Sequence, residues 1–155
     1  MIRIANENDI EQIYNLNTEL FIVLNSLNDK IYNPIGFPKQ FIDIMIKSPD
    51  SDYIIIEDDD KIIGYVLIEK RESPYKTYES FKEDEFAYIY EVVILPEYRL
   101  KGYGKYLIEE AQKWAKERNL KSIELNVLSN NYNAMAFYEK VGFENYQIKM
   151  RKNIN

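Results

Sequence analysis

Cysteine and histidine are both absent from the 155 residues, and each absence closes off a body of chemistry. Without Cys there is no disulfide framework, no thiolate zinc site and no cysteinyl acyl-enzyme. Without His there is no Ser-His-Asp triad and the commonest general base is missing, so proton transfer falls to Asp, Glu, Lys, Tyr and water. No apolar run approaches the ~20 residues of a membrane span, and the start, Met1 to Asp9, has no apolar secretion signal. A cytoplasmic protein with no membrane partner is expected. Positive charge is in deficit, with 20 Lys and Arg against 26 Asp and Glu, a net charge of −6. That balance argues against nucleic acid as a partner and favours a small cation. Glycine is scarce, five in all, so two of them in three positions at Gly102 and Gly104 stand out. What is present, 46% hydrophobic and 30% charged residues, is ordinary for a folded domain able to bury roughly 70% of its unfolded surface.

Ile2 and Ile4 alternate with Arg3 and Ala5, which predicts a short first strand. Asp9 can cap a helix over 9–27, in which Ile10, Ile13, Leu16 or Asn17, Leu20, Leu24 and Leu27 recur at helical spacing. Residues 28–38 read as a loop broken by Asn33-Pro34 and Gly36, followed by a second helix over 38–46 that stops at Ser48-Pro49. Two β-rich runs, 52–57 and 61–70, flank Asp58-Asp59-Asp60 and predict an antiparallel hairpin. Its acidic tip reads as a solvated turn, because calcium loops space their ligands every second residue ahead of a glycine. Residues 71–85 are irregular and too long for a tight turn, which suits a lid or substrate-side loop. The run 86–95 ends almost continuously apolar, as a strand buried on both faces does. A helix over 103–118 with Asn119 as its C-cap, a strand over 122–128, a helix over 131–140 and a last strand over 146–152 complete the chain. The order β-α-α-β-β-β-α-β-α-β implies one α/β (α+β) domain over 1–155, a mixed sheet with helices on its faces.

The chemistry concentrates in Glu91-Val-Val-Ile-Leu-Pro-Glu-Tyr-Arg-Leu-Lys-Gly-Tyr-Gly-Lys105. A strand feeding a glycine turn at a helix start is an anion site, because the first helical N–H groups lack intrahelical partners and the dipole end is positive. Phosphate is the expected ligand. The run is neither a Walker A loop nor a Rossmann fingerprint, since it lacks G-x-x-x-x-G-K-S/T and a G-x-G-x-x-G near the first strand.

Arg99-Leu-Lys-Gly-Tyr-Gly104 after Val93-Ile94-Leu95-Pro96 resembles the Arg/Gln-x-x-Gly-x-Gly/Ala signature of the GNAT superfamily of acetyl-CoA-dependent N-acetyltransferases. A second element of that family is matched by Asn131, Ala134 and Phe137-Tyr-Glu-Lys-Val-Gly-Phe143. The resemblance is carried by residues 86–150 and implies a GNAT fold, a mostly antiparallel sheet of about six strands. It implies acetyl-CoA as co-substrate and no metal. The main-chain amides of Leu100, Lys101, Gly102, Tyr103, Gly104 and Lys105, with Arg99, are then expected to bind the coenzyme A diphosphate. Val92, Val93 and Ile94 would offer strand-edge groups to pantetheine, which requires the strand 122–128 to splay from its neighbour. Asn126, Asn131 and Ala134 would line the far wall. Tyr138 is the expected acid that protonates the departing thiolate.

The amine is the harder problem, since at a pKa of ~10.4 only about one in a thousand is neutral at pH 7.4, a penalty of roughly 4 kcal/mol. Glu91, at a position where GNAT members keep an acidic group, is the candidate base. An ordinary Glu at ~4.3 is too weak, so it would act through water, after burial has raised its pKa, or as an anionic anchor. Glu124 and the run 83–85 are the alternatives. With no Cys to hold the acyl group, direct attack in a ternary complex is expected. The acceptor pocket is expected between residues 20–40 and 71–85, and their aromatics and acids suit a small cationic amine. Two rival readings stand beside it: acetylation of a protein N-terminus or Lys, and a non-catalytic acyl-CoA-binding sensor or interaction module. About a dozen residues follow Phe143, room for one edge strand, and both a monomer and a homodimer stay open.

Overall fold

The computed structural model describes residues 1–82 and 85–154. Five strands, β1 (Ile2–Ile4), β2 (Ser51–Asp58), β3 (Lys61–Glu72), β4 (Glu85–Ile94) and β5 (Ile123–Leu125), form one sheet in the order β1-β2-β3-β4-β5. The first three pairings are antiparallel and β4–β5 is parallel. Four helices accompany them: α1 (Ile10–Leu27), α2 (Lys39–Lys47), α3 (Tyr103–Glu117) and α4 (Tyr132–Lys140).

Each face of the sheet has its own cover, and the strand alternation decides which. Leu67 pairs with Glu91 and Tyr65 with Val93 across β3–β4, so these side chains share a face. Asn17 of α1 bonds both Tyr65 and Glu91, which places α1 over that face. Asp52 pairs with Ile68 and therefore points the other way. There the Trp114 indole of α3 donates to it at 2.6 Å, and the Arg118 guanidinium stacks on the same indole.

Turn chemistry explains most boundaries. The β2–β3 hairpin closes through Asp59 and Asp60, with φ of 47° and 61°. This is the doubly left-handed geometry that matches strand twist, and Asp tolerates it better than most residues. The acidic tip is thus a turn, as expected. At the same end of β2, Arg3 reaches from β1 to the carboxylates of Asp9 and Glu57, and Asp9 in turn accepts from the Asn6 amide at 2.7 Å. That fork holds the start of α1 against the sheet edge.

Helices α3 and α4 end alike. After α3, Asn119 at φ 59° sends its amide to Lys116 O and Leu120 sends its own to Ala115 O. After α4, Gly142 at φ 98° donates to Glu139 O and Phe143 to Tyr138 O. Both are Schellman caps, and the second carries the usual apolar contact: the Phe143 and Tyr138 rings lie 5.6 Å apart. The Tyr-Glu-Lys-Val-Gly-Phe run is therefore a helix end that fixes the attitude of Tyr138.

The expected strand over 146–152 is not formed among the described residues, so the sheet has five strands rather than about six. Tyr146, Ile148 and Met150 do alternate, yet they are 77%, 82% and 89% exposed. Alternation prepares a strand but only a partner edge makes one, and β5 supplies three residues where seven (122–128) were expected.

Replacing Gly142 by Ala puts a Cβ on a left-handed residue, with an expected cost of about 1–2 kcal/mol. For a chain of this size that lowers Tm by roughly 2–8 °C in calorimetry. Asn119→Gly, which relieves the same strain at the other cap, is expected to leave Tm unchanged or slightly higher. An unchanged Tm in Gly142→Ala would show that α4 ends without its left-handed residue.

Candidate active site

The site begins where β4 loses a partner. β5 pairs with β4 only at Ala87, Tyr88 and Ile89. From Tyr90 to Ile94 the strand is held by β3 alone among the described residues, and its unpaired edge beyond β5 is the wedge. The same strand carries an irregularity: Ile68 faces Ile89 while Leu67 faces Glu91, so Tyr90 has no partner. A one-residue bulge of this kind re-aims side chains. It leaves Tyr88, opposite Glu69, and Glu91, opposite Leu67, on one face although they are an odd number of residues apart.

The glycine turn lies past the end of β4. Leu100 and Gly102 both have positive φ, 61° and 91°, and Leu100 is fully exposed. A non-glycine residue in that region is uncommon and strain of this sort gathers at ligand sites. The first bond into α3 runs from the Tyr106 amide to Gly102 O at 3.0 Å. The amides of Tyr103, Gly104 and Lys105 precede it and, by helix geometry, have no intrahelical acceptor. The donor set therefore fits a diphosphate: positive dipole end, unpaired amides, and no side-chain cap at Gly102. Gly104 has a different reason to be glycine. A Cβ there would meet the Phe137 ring at 3.1 Å, so it permits α3 to pack on α4. Arg99 turns back and donates from Nε to Ile94 O at 2.9 Å, tying the turn to the strand end.

On the far side of the wedge, Asn126 donates to the Tyr88 hydroxyl at 2.9 Å. Asn131 caps α4, its Oδ1 accepting from the Ala134 amide at 3.3 Å. Tyr138 lies one helix turn further on, half-buried, and burial followed by the charge of Glu91 pushes its phenol up to about 12. It is protonated throughout the physiological range.

Glu91 is the singular group. Only 7% of it is exposed, and burial pushes its carboxyl up to about 7, against the opposing pull of hydrogen bonds from Tyr65 and Asn17. The Tyr65 hydroxyl donates at 2.7 Å, and the Asn17 amide nitrogen lies 2.7 and 2.8 Å from the two carboxylate oxygens. Tyr53 stacks edge-on against Tyr65, its hydroxyl buried without a partner among the described residues and raised by desolvation and by the same carboxylate. Such an orphan costs about 1–3 kcal/mol.

Beside this carboxylate runs an unbroken aromatic wall. Ring centroids step from Tyr32 to Phe21 (5.9 Å), Phe37 (5.0 Å), Phe41 (4.4 Å), Tyr90 (6.2 Å) and Tyr88 (5.2 Å). It joins α1, the loop 28–38, α2 and β4. Arg71 lies over Tyr88 and Tyr90 at its far end, paired with Glu69.

The structure thus brings Glu91, Tyr138 and the wedge edge Val92, Val93 and Ile94 together, with the glycine turn at the strand's end. Glu124 sits opposite Tyr88 in the β4–β5 register. Of the run 83–85, Glu83 and Asp84 lie outside the described residues, and Glu85 is paired with Lys70. Asn17, Tyr65 and Tyr53 were not picked out from sequence. Asn17 alone had a signal, a polar residue standing in the apolar stripe of α1.

The sequence model of the Acetyltransferase (GNAT) family matches residues 10–143. An N-alpha-acetyltransferase of Saccharolobus solfataricus is 27% identical over 150 residues, 95% of this chain and 81% of its own. Among solved structures, a tetramutant of the BH1408 protein of Bacillus halodurans superposes with a TM-score of 0.91 at 20% identity, covering 99% of each chain. Aminoglycoside N-acetyltransferase AAC(6')-Iy in complex with CoA does so at 0.74 and 16% identity, over 99% of this chain and 93% of that one. The two structures share the fold and the match of the family model spans most of the chain: the chain belongs to the GNAT family and is an acetyl-CoA-dependent N-acetyltransferase.

Proposed function

We propose that residues 1–155 act as one domain that acetylates a primary amine on a small cationic molecule by direct attack in a ternary complex. The observation that carries this reading is a buried carboxylate with a pKa near neutrality beside an aromatic wall, at the point where β4 opens.

Acetyl-CoA supplies an acyl group activated as a thioester. The amides of residues 100–105 with Lys101, Lys105 and Arg99 hold its diphosphate, the open edge at Val92, Val93 and Ile94 takes its amide-bearing arm, and Asn126, Asn131 and Ala134 line the opposite wall. Glu91 receives the proton of the acceptor ammonium. From an amine at ~10.4 to an ordinary Glu at ~4.3 that transfer is uphill by about six units, and burial of Glu91 removes roughly 2.5 of them, about 3 kcal/mol. Tyr138, kept protonated by burial, offers its hydroxyl proton to the sulfur as negative charge develops there. The N–C bond forms and the C–S bond breaks; the ammonium loses two protons in all, one through Glu91 to solvent and one, released as the tetrahedral intermediate collapses, that restores the Tyr138 phenol after it has protonated the thiolate.

The acceptor class follows from the wall. The rings of Phe21, Tyr32, Phe37 and Phe41 together with Glu91 favour a desolvated cation, an interaction worth about 0.5–2 kcal/mol per ring contact. The aminoglycoside acetyltransferase among the structural neighbours acts on a small molecule, which supports the reading. A second reading, acetylation of a peptide N-terminus, is favoured by the name of the archaeal relative.

Free-thiol release from acetyl-CoA across polyamines, amino sugars, diamino acids and peptides separates the two readings. Turnover confined to peptides would overturn the first. Tyr138→Phe is expected to lower kcat about 100-fold with coenzyme affinity unchanged in calorimetric titration. For wild type, kcat/KM should rise through pH 7 as Glu91 ionises, and Glu91→Gln should abolish that limb. The same residue leaves a mark on stability. Its folded pKa lies above the unfolded 4.5, so its ionisation opposes folding as pH rises from about 5 through 7 and not at lower pH. Glu91→Gln is therefore expected to stabilise the fold at pH 8 by about 1–3 kcal/mol, and hardly at all at pH 5.

A further inference from the structure

Asn17 occupies the middle of α1 and is 1% exposed. A side-chain amide so placed is tolerated only when each of its polar atoms is satisfied. Here the satisfaction is directional. The Phe37 main-chain amide, which can only donate, lies 2.6 Å from Oδ1. That contact settles which end of the amide is oxygen, so the NH2 must face the other way, onto both oxygens of Glu91. Gly36, one residue earlier in the loop, lies so close that a Cβ on it would stand 2.4 Å from Oδ1 and 2.9 Å from the Thr18 amide. One side chain therefore touches the carboxylate with one end and the loop 28–38 with the other. That loop carries Phe37 and Tyr32, two members of the aromatic wall.

We propose that Asn17 is a positioning residue for the transfer: it ties the seating of the acceptor loop to the orientation and ionisation of Glu91, so that a correctly closed loop and a competent base are one event. The proposal rests on Glu91 being the base. Its chemistry is simple. With the loop seated, the Asn17 NH2 is aimed at the carboxylate and favours the ionised form; with the loop displaced, Oδ1 loses its donor, the amide is free to rotate, and the carboxylate loses that support. The other groups facing Glu91 are the hydroxyls of Tyr65 on β3, Tyr53 on β2 and Tyr138 on α4. No cation is among the groups acting on it in the described residues. Asn17 is thus a facing group that is also hydrogen-bonded to the acceptor loop.

The test compares pH profiles of kcat/KM for wild type, Asn17→Ala, Gly36→Ala and Glu91→Gln, with the Glu91 carboxyl titration followed by carbon-13 NMR as a readout independent of turnover. Asn17→Ala is expected to move both the acid limb and the carboxyl titration upward by about one pH unit, and to raise KM for the amine severalfold. Gly36→Ala, which keeps both Asn17 and Glu91 but sets a Cβ 2.4 Å from Asn17 Oδ1 and so forces loop and amide apart, should move both in the same direction. It also serves if Asn17→Ala does not fold. A titration that stays in place in Gly36→Ala, or in a folded Asn17→Ala, overturns the proposal and leaves Asn17 a packing residue. Persistence of the limb in Glu91→Gln overturns instead the assignment of the base. In that case a shifted Glu91 titration in Asn17→Ala and Gly36→Ala would still establish the coupling of loop to carboxylate.

Discussion

A carboxylate held away from water is the constraint on which the rest of this structure depends. Ionised Glu91 is costly in a core, and the chain meets that cost with three hydrogen bonds from two distant residues, Asn17 seventy-four residues away and Tyr65 twenty-six away. The outcome is a balance: desolvation favours the neutral form, the hydrogen bonds favour the charged one, and the carboxyl settles near neutrality. A chain without histidine has reached, by burial, the pKa range that histidine holds unaided.

The second constraint is the loss of pairing along β4. An unpaired strand edge in a sheet interior is a liability unless something occupies it. Here the edge, the bulge at Tyr90 and the left-handed turn at Leu100 and Gly102 follow one another along a single stretch of backbone. One strand thus carries both the unpaired edge at Val92 to Ile94 and the carboxylate of Glu91, and a helix cap fixes the attitude of Tyr138 on α4.

Much of the fold was legible beforehand because its signals are local. Helical spacing located α1, α2 and α3 to within about a residue, the paired aspartates located a hairpin turn, and Asn119 located a helix end. The glycine turn was legible for the same reason, since it and a helix start depend on neighbouring residues alone. The last strand was misjudged because 146–152 has the right alternation and no edge to join. The room that Gly104 leaves for Phe137 was not legible, because that ring comes from a helix thirty residues on.

By itself the sequence determined the family, the order of the elements, the glycine turn and the candidates Tyr138 and Glu91, all from short-range pattern and from the absence of Cys and His. Only the tertiary structure decided what Glu91 is. Its pKa depends on burial and on Asn17, Tyr65 and Tyr53, residues that sit on three different elements and carry no motif. A pattern along the chain reports what each residue can do locally, while desolvation is a property of everything packed around it, and that exists only once the sheet and α1 have closed over the carboxylate.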